Sequence, residues 1–193
     1  MKRQFLLILT AGLLLLSSCT ALQQAIAFKD CKYSYKSLTD ITFMDLPTSQ
    51  LLTFGGAAKM ANGLLGKEAA PLGFTIHLNV DNPNQFAAAV DSLYYIVSLD
   101  SVEVAEGSMP ENFRVEPGER ADLALPLKVD MRNIMKSDKR SVMTKTIKNM
   151  VGIGSEPVQV LVRIRPTLRV GNRKMTVPAY IPVSFEYTGK KKN

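Results

Sequence analysis

The stretch Leu72-Gly73-Phe74-Thr75-Ile76-His77-Leu78-Asn79-Val80-Asp81-Asn82-Pro83-Asn84 decides the fold. Leu72, Phe74, Ile76, Leu78 and Val80 point one way, and Gly73, Thr75, His77, Asn79 and Asp81 point the other. Such a period of two gives a strand with one buried and one wet face. It stops at Asn82-Pro83-Asn84. Pro83 has no N–H with which to continue a ladder, and it pushes Asn82 towards extended backbone. Both Asn side chains can bond nearby backbone in Asx-type turns, and Asn84 tolerates positive φ. We read the triplet as a structural corner that sets how the strand leaves its sheet. The competing reading is a binding site built from two amides.

The same alternation recurs outward from this strand. Cys31, Tyr33 and Tyr35 begin a strand, and a second short one is expected near Ile41 to Asp45. Leu93, Tyr95, Val97 and Leu99 form another, turning at Asp100-Ser101 into Val102 to Ala105. Glu116-Pro117-Gly118-Glu119 suits a type II turn into Leu123, Leu125, Leu127 and Val129. Val158 to Val170 and Met175 to Tyr187 make a closing hairpin around Gly171-Asn172, which suits a type II′ turn. Pro178 and Pro182 mark the second arm as an edge. Two segments break the pattern. Residues 48–66 carry an apolar face (Phe54, Ala57, Ala58, Met60, Ala61, Leu64, Leu65) at helical spacing, as do residues 130–152, with Met131, Met135, Met143 and Met150. Ser137 is read as starting a second helical segment there. The methionines are read as core, with an adaptable groove as the alternative. The sum is a mostly β chain: an antiparallel β-sandwich with one or two accessory helices.

The first 18 residues read as a signal peptide: Lys2 and Arg3, a short apolar run from Phe5 to Leu16, then Ser17 and Ser18. Leu16-Ser17-Ser18-Cys19 resembles the lipobox of bacterial lipoproteins, in which the peptidase cuts before a cysteine whose thiol carries a diacylglycerol. Cys19 is therefore the expected lipidation site; the alternative is an ordinary signal peptide with a chance cysteine. Residues 19–29 are expected to be a lipid-anchored tether. Residues 20–29, if extended, span at most about 33 Å. Residues 30–188 form the domain, and 189–193 a basic tail.

The 193 residues carry a formal charge of +7. Loss of Lys2 and Arg3 leaves +5, of which Lys190-Lys191-Lys192 supply three. No concentrated basic patch with aromatics remains, so no nucleic-acid partner is expected. Cys31 has no second thiol for an intrachain disulfide once Cys19 is lipidated, and it reads as a buried strand residue. His77, the one histidine, falls on the wet face and is assigned no role. The histidine, cysteine and acid clusters of a metal site are missing, as are a G-x-S-x-G elbow and a complete dinucleotide loop at Gly152-Ile153-Gly154. No enzyme activity, metal or cofactor is expected.

The ordered set Phe74-x-Ile76-x-Leu78-x-Val80-x-Asn82-Pro83-Asn84, then Val90-x-x-Leu93-x-Tyr95-x-Val97-x-Leu99, then Val104-Ala105-x-Gly107 and Val115-x-Pro117, resembles the late embryogenesis abundant type 2 family and its water-stress and hypersensitive-response domain. The resemblance covers 72–130 closely and 156–188 more loosely. It implies an immunoglobulin/fibronectin III-like sandwich and a non-enzymatic role in stress. The extra helical stretch at 48–66 and the lipid anchor depart from the plant pattern.

Two functions are expected from these readings. One is a structural or stress-protective binding module of the cell envelope, held to the membrane through its N-terminal lipid and contacting an envelope protein. The other is a carrier or sensor of an apolar ligand such as a lipid. By analogy with Gram-negative lipoproteins, Thr20 after the lipid cysteine favours the outer membrane. The lack of an acidic run there favours its periplasmic face.

Overall fold

The computed structural model describes residues 20–51, 53, 55–56, 58–59, 70–135, 137–150 and 154–189. The described residues start with helix α1 (residues 20–29), then β1 (Lys32–Phe43), β2 (Leu46–Pro47), the short α2 (Thr48–Leu51) and β3 (Pro71–Asp81). Next come β4 (Ala88–Val90), β5 (Ser92–Leu99), β6 (Val102–Met109), β7 (Phe113–Val115) and β8 (Arg120–Asp130). Helices α3 (Met131–Met135) and α4 (Arg140–Met150) precede β9 (Val158–Val170), β10 (Arg173–Thr176) and β11 (Ile181–Tyr187).

The strands form a two-layer antiparallel sandwich. One sheet has the order β2-β1-β3-β8; the other runs β10-β9-β5-β6, with β11 also pairing β9. A small β4–β7 ribbon stands apart from both. The opening stretch is β3, in the middle of the first sheet, where its inward residues Leu72, Phe74, Ile76, Leu78 and Val80 are all buried. They meet Leu93, Tyr95, Val97 and Leu99 of β5 and Val160, Val162 and Ile164 of β9 in one core. The burial of these branched and aromatic side chains is the main favourable term in folding.

Tyr95 ties the layers together. Its ring is sealed in the core, and its hydroxyl donates to the Pro126 carbonyl of the opposite sheet. Cross-strand from Tyr95 lies Gly107, where a Cβ would come within 2.5 Å of the ring. Gly107 therefore leaves the space that the Tyr95 ring fills. At the other flank Tyr35 of β1 stacks on Phe185 of β11, ring centroids 4.6 Å apart.

The turns follow their residues. Gly118 (φ 73°) completes the type II turn, with Glu119 N–H donating to Glu116. Gly171 (φ 59°) opens the β9–β10 hairpin. Asp100 and Ser101 both have positive φ, as a two-residue type I′ hairpin requires. Ser137 starts the second helical segment by accepting the Lys139 N–H. Met131 and Met143 are buried core, and the cavity beside Met143 and Met150 holds only about 30 Å³, too little for a lipid chain.

Four expectations need correction. Residues 20–29 are not an extended tether but helix α1, because Ala27 and Phe28 are sealed into the core. Ile41–Phe43 is the end of β1 rather than a separate strand; the chain then turns through Met44 and Asp45, both at positive φ, into β2. Cys31 sits at the α1–β1 junction, one residue before the strand. The arm 175–187 is two strands, because Pro178 has no N–H for the ladder and residues 178–180 leave β9. Pro182 does lie on an edge strand, pairing only towards β9. Of the 48–66 helix, Thr48–Leu51 and residues 55–56 and 58–59 are helical; Phe54, Ala57, Met60, Ala61, Leu64 and Leu65 lie outside the described residues.

Gly107→Ala should lower stability by about 1–3 kcal/mol through crowding of the Tyr95 ring. Chemical denaturation checks this, and an unchanged midpoint contradicts the packing described.

Candidate functional site

Helix α1 has two apolar faces. Ala21 and Phe28 turn towards the sandwich, and the Phe28 ring meets Tyr33 and Phe113 edge-on at 5.8 and 6.1 Å. Leu22, Ala25, Ile26 and Lys29 line the other side, at spacings that place them on one stripe of the helix. Across from them runs the segment Met175 to Pro182. The groove between the two encloses about 580 Å³, and apolar side chains dominate its walls, with Leu168 and Ile181 among them. Its far wall is fixed by Tyr180, whose ring carries the guanidinium groups of Arg163 and Arg165 at 5.7 and 5.3 Å. A larger cleft of about 680 Å³ lies between α4 and residues 154–156, but charged and polar groups such as Arg140, Lys145, Lys148 and Glu156 line it. The α1 groove is the described cleft suited to an apolar partner.

The C-terminus of α1 is held by the Asn82-Pro83-Asn84 corner. Asn82 is 1% exposed. Its Nδ2 donates to the carbonyls of Phe86 (2.9 Å), Val115 (3.0 Å) and Glu116 (3.2 Å), and its Oδ1 accepts from the Asn84 N–H and from Asn84 Nδ2. Its backbone N–H and C=O are bonded to Glu119 and Gly118. Asn84 Nδ2 then donates to the Ala27 carbonyl of α1 at 3.0 Å. The last carbonyls of a helix lack partners inside it. Here the Ala27 oxygen also accepts from Cys31 Sγ, and the Phe28 oxygen accepts from Tyr33 Oη. Asn84 does not adopt the positive φ it could tolerate; its side chain carries the contact instead.

Cys31 is buried, and its pKa is pushed up to about 11, first by burial and then by the nearby Asp30 and Asp81 charges. A thiol held protonated at neutral pH is a poor nucleophile. Cys19 lies outside the described residues.

His77 does have partners, on other strands. Its Nδ1 is 3.0 Å from the Asp122 carboxylate and its Nε2 is 2.9 Å from Thr39 Oγ1. The order hydroxyl–imidazole–carboxylate is that of a hydrolase triad. Two features argue against that use. Thr39 Oγ1 also bonds Asp40 at 2.8 Å, and Lys36 bridges Asp122 at 2.7 Å. The site is a cross-strand network on the outer face. Among the described residues no group of three or more His, Cys, Asp or Glu side chains gathers to hold a metal.

The sequence reading missed α1 and its groove. A recoverable signal was present: Ala21, Leu22, Ala25, Ile26 and Phe28 recur at helical spacing, and Phe28 is too large an aromatic for a solvated tether.

The geometry predicts unequal effects at the corner. Asn82→Ala removes the carboxamide's bonds to Phe86, Val115, Glu116 and Asn84 from a buried position and should cost about 3 kcal/mol, whereas Asn84→Ala should cost about 1 kcal/mol. Thermal unfolding checks the order, and equal or reversed effects contradict it. Cys31 in the folded chain should also resist alkylation at pH 8 and react on denaturation; rapid native labelling contradicts its burial.

A family model described as late embryogenesis abundant protein matches residues 77–181. No curated protein matches the chain. Among solved structures, a crystal structure of a protein from Archaeoglobus fulgidus is similar at 16% identity and TM-score 0.38, covering 81% of this chain and 98% of that one. A solution structure from Arabidopsis thaliana is similar at 14% identity and TM-score 0.36, covering 82% and 83%. Another, described as a late embryogenesis abundant protein, has 12% identity and TM-score 0.35, covering 95% and 86%. With the family match spanning more than half of its length and including the Asn82-Pro83-Asn84 corner, the chain belongs to the late embryogenesis abundant type 2 family.

Proposed function

We propose that this protein is a non-enzymatic, lipid-anchored module of the cell envelope that binds and protects at the membrane surface. The observation that carries this reading is the placement of α1. Its described part runs from residue 20, next in sequence to Cys19, and is sealed to the sandwich through Phe28 and the Asn84 bond. A lipid on Cys19 would therefore hold the domain against the bilayer without a long reach. Two or more acyl chains anchor firmly where one does not. Membership in a family of generally non-enzymatic stress proteins supports the protective role. Thr20 supports the outer membrane, on its periplasmic face.

A second reading is that of a carrier or sensor of an apolar ligand. The apolar walls of the α1 groove favour it, and the groove takes the place of the Met-rich one considered from sequence.

Labelled palmitate should be incorporated by the wild-type chain and not by Cys19→Ser, and the wild type should fractionate with outer membranes. A deletion strain should lose survival under drying, osmotic or detergent stress. An unlabelled chain recovered in the soluble fraction, or a deletion strain indistinguishable from its parent, contradicts the proposal. The carrier reading requires a lipid to co-purify with the Cys19→Ser chain.

A further inference from the structure

We propose that the outer lip of the α1 groove is a membrane-contact surface. In this proposal Leu22, Ile26 and Met175 enter the boundary between headgroups and acyl chains, and Lys29 and Arg173 face anionic headgroups. The proposal rests on the reading that the chain is anchored through Cys19.

Leu22, Ile26 and Met175 are 56%, 51% and 51% exposed, and they make up three of the four large exposed hydrophobics among the described residues. Scattered exposed apolar residues are ordinary, but a cluster marks an interaction surface. These three line one groove and so are contiguous. A helix on a water-soluble surface turns polar residues outward. Helix α1 does the reverse at positions 22 and 26, although its inner face is already satisfied by the core. A helix with an apolar outward stripe and a flanking cation suits the bilayer interface.

The occupant follows from position and charge. The stripe begins three residues after Cys19, so a lipid there would bring it to the bilayer. Lys29 ends the α1 stripe, and Arg173 shares the strand face of Met175. Neither forms an ion pair among the described residues, whereas Lys174 and Arg169 are taken up by Asp91 at 2.9 and 2.8 Å. Asp30, next to Lys29, is the one acid adjoining this stripe in sequence. A free apolar ligand would need walls that enclose it, whereas Leu22, Ile26 and Met175 stand half-exposed on the lip.

The test uses the mature chain with Cys19→Ser, so that no acyl chain contributes, and sedimentation with phosphatidylcholine vesicles with or without phosphatidylglycerol. The chain should bind, and more tightly with phosphatidylglycerol. Leu22→Asp combined with Ile26→Asp should weaken binding at least about tenfold, with an unchanged melting temperature because both side chains are exposed. Lys29→Glu combined with Arg173→Glu should abolish the preference for phosphatidylglycerol, at about fivefold per charge. A second measurement uses the acylated chain. The sequence has no Trp. A Trp introduced by Met175→Trp should therefore be quenched by brominated lipids, and one introduced by Lys145→Trp should not. Absence of vesicle binding, binding indifferent to the Asp substitutions, or uptake of monomeric fatty acid without vesicle binding overturns the proposal. If mass spectrometry shows Cys19 unmodified, the anchor fails separately, and the vesicle result still decides the contact surface.

Discussion

The structure depends on a carboxamide that cannot reach water. Asn82 lies at the end of β3, and its side chain serves carbonyls from the following loop and from the β7–β8 turn while accepting from Asn84. An unbonded amide in that position would cost more than the net worth of an ordinary hydrogen bond. The bonds therefore come as a set. They fix where β3 ends, where the Glu116–Glu119 turn sits, and where Asn84 can reach α1. Pro83 between them removes an N–H that would otherwise need a partner.

Much follows from this geometry. Because Asn84, Cys31 and Tyr33 supply donors to its last carbonyls, α1 ends against the sandwich. Because Pro178 breaks the second arm of the hairpin, residues 178–180 leave the sheet and give α1 a facing wall. Arg163 and Arg165 hold that wall through Tyr180. The groove is thus a product of one strand end and one strand break, both written locally in proline and asparagine.

The strands were legible because burial on one face imposes a period of two, which β3, β8 and β9 show, and which survives in β5 at Leu93, Tyr95, Val97 and Leu99 although Ile96 and Ser98 opposite are buried as well. Gly118 and Gly171 were legible because the positive φ they adopt is encoded in the residue itself. The network of His77 was not, since Asp122 is 45 positions away and is brought close only by the β3–β8 register. The tight fit of Gly107 against Tyr95 was hidden for the same reason. Helix α1 was hidden by its setting: ten residues after a lipobox-like cysteine invite a tether reading, and only the buried Phe28 shows what holds the helix. The short β4–β7 ribbon was too brief to establish a period.

The central claim is that α1 is part of the folded domain and not a leash before it. Amide hydrogen exchange on the mature protein tests this directly. The account predicts that the Ala27, Phe28 and Asp30 amides exchange nearly as slowly as those of β3, because opening α1 would expose Phe28 and the Asn84 bond. Exchange of those three amides at the rate of an unstructured peptide, with β3 still protected, would contradict it.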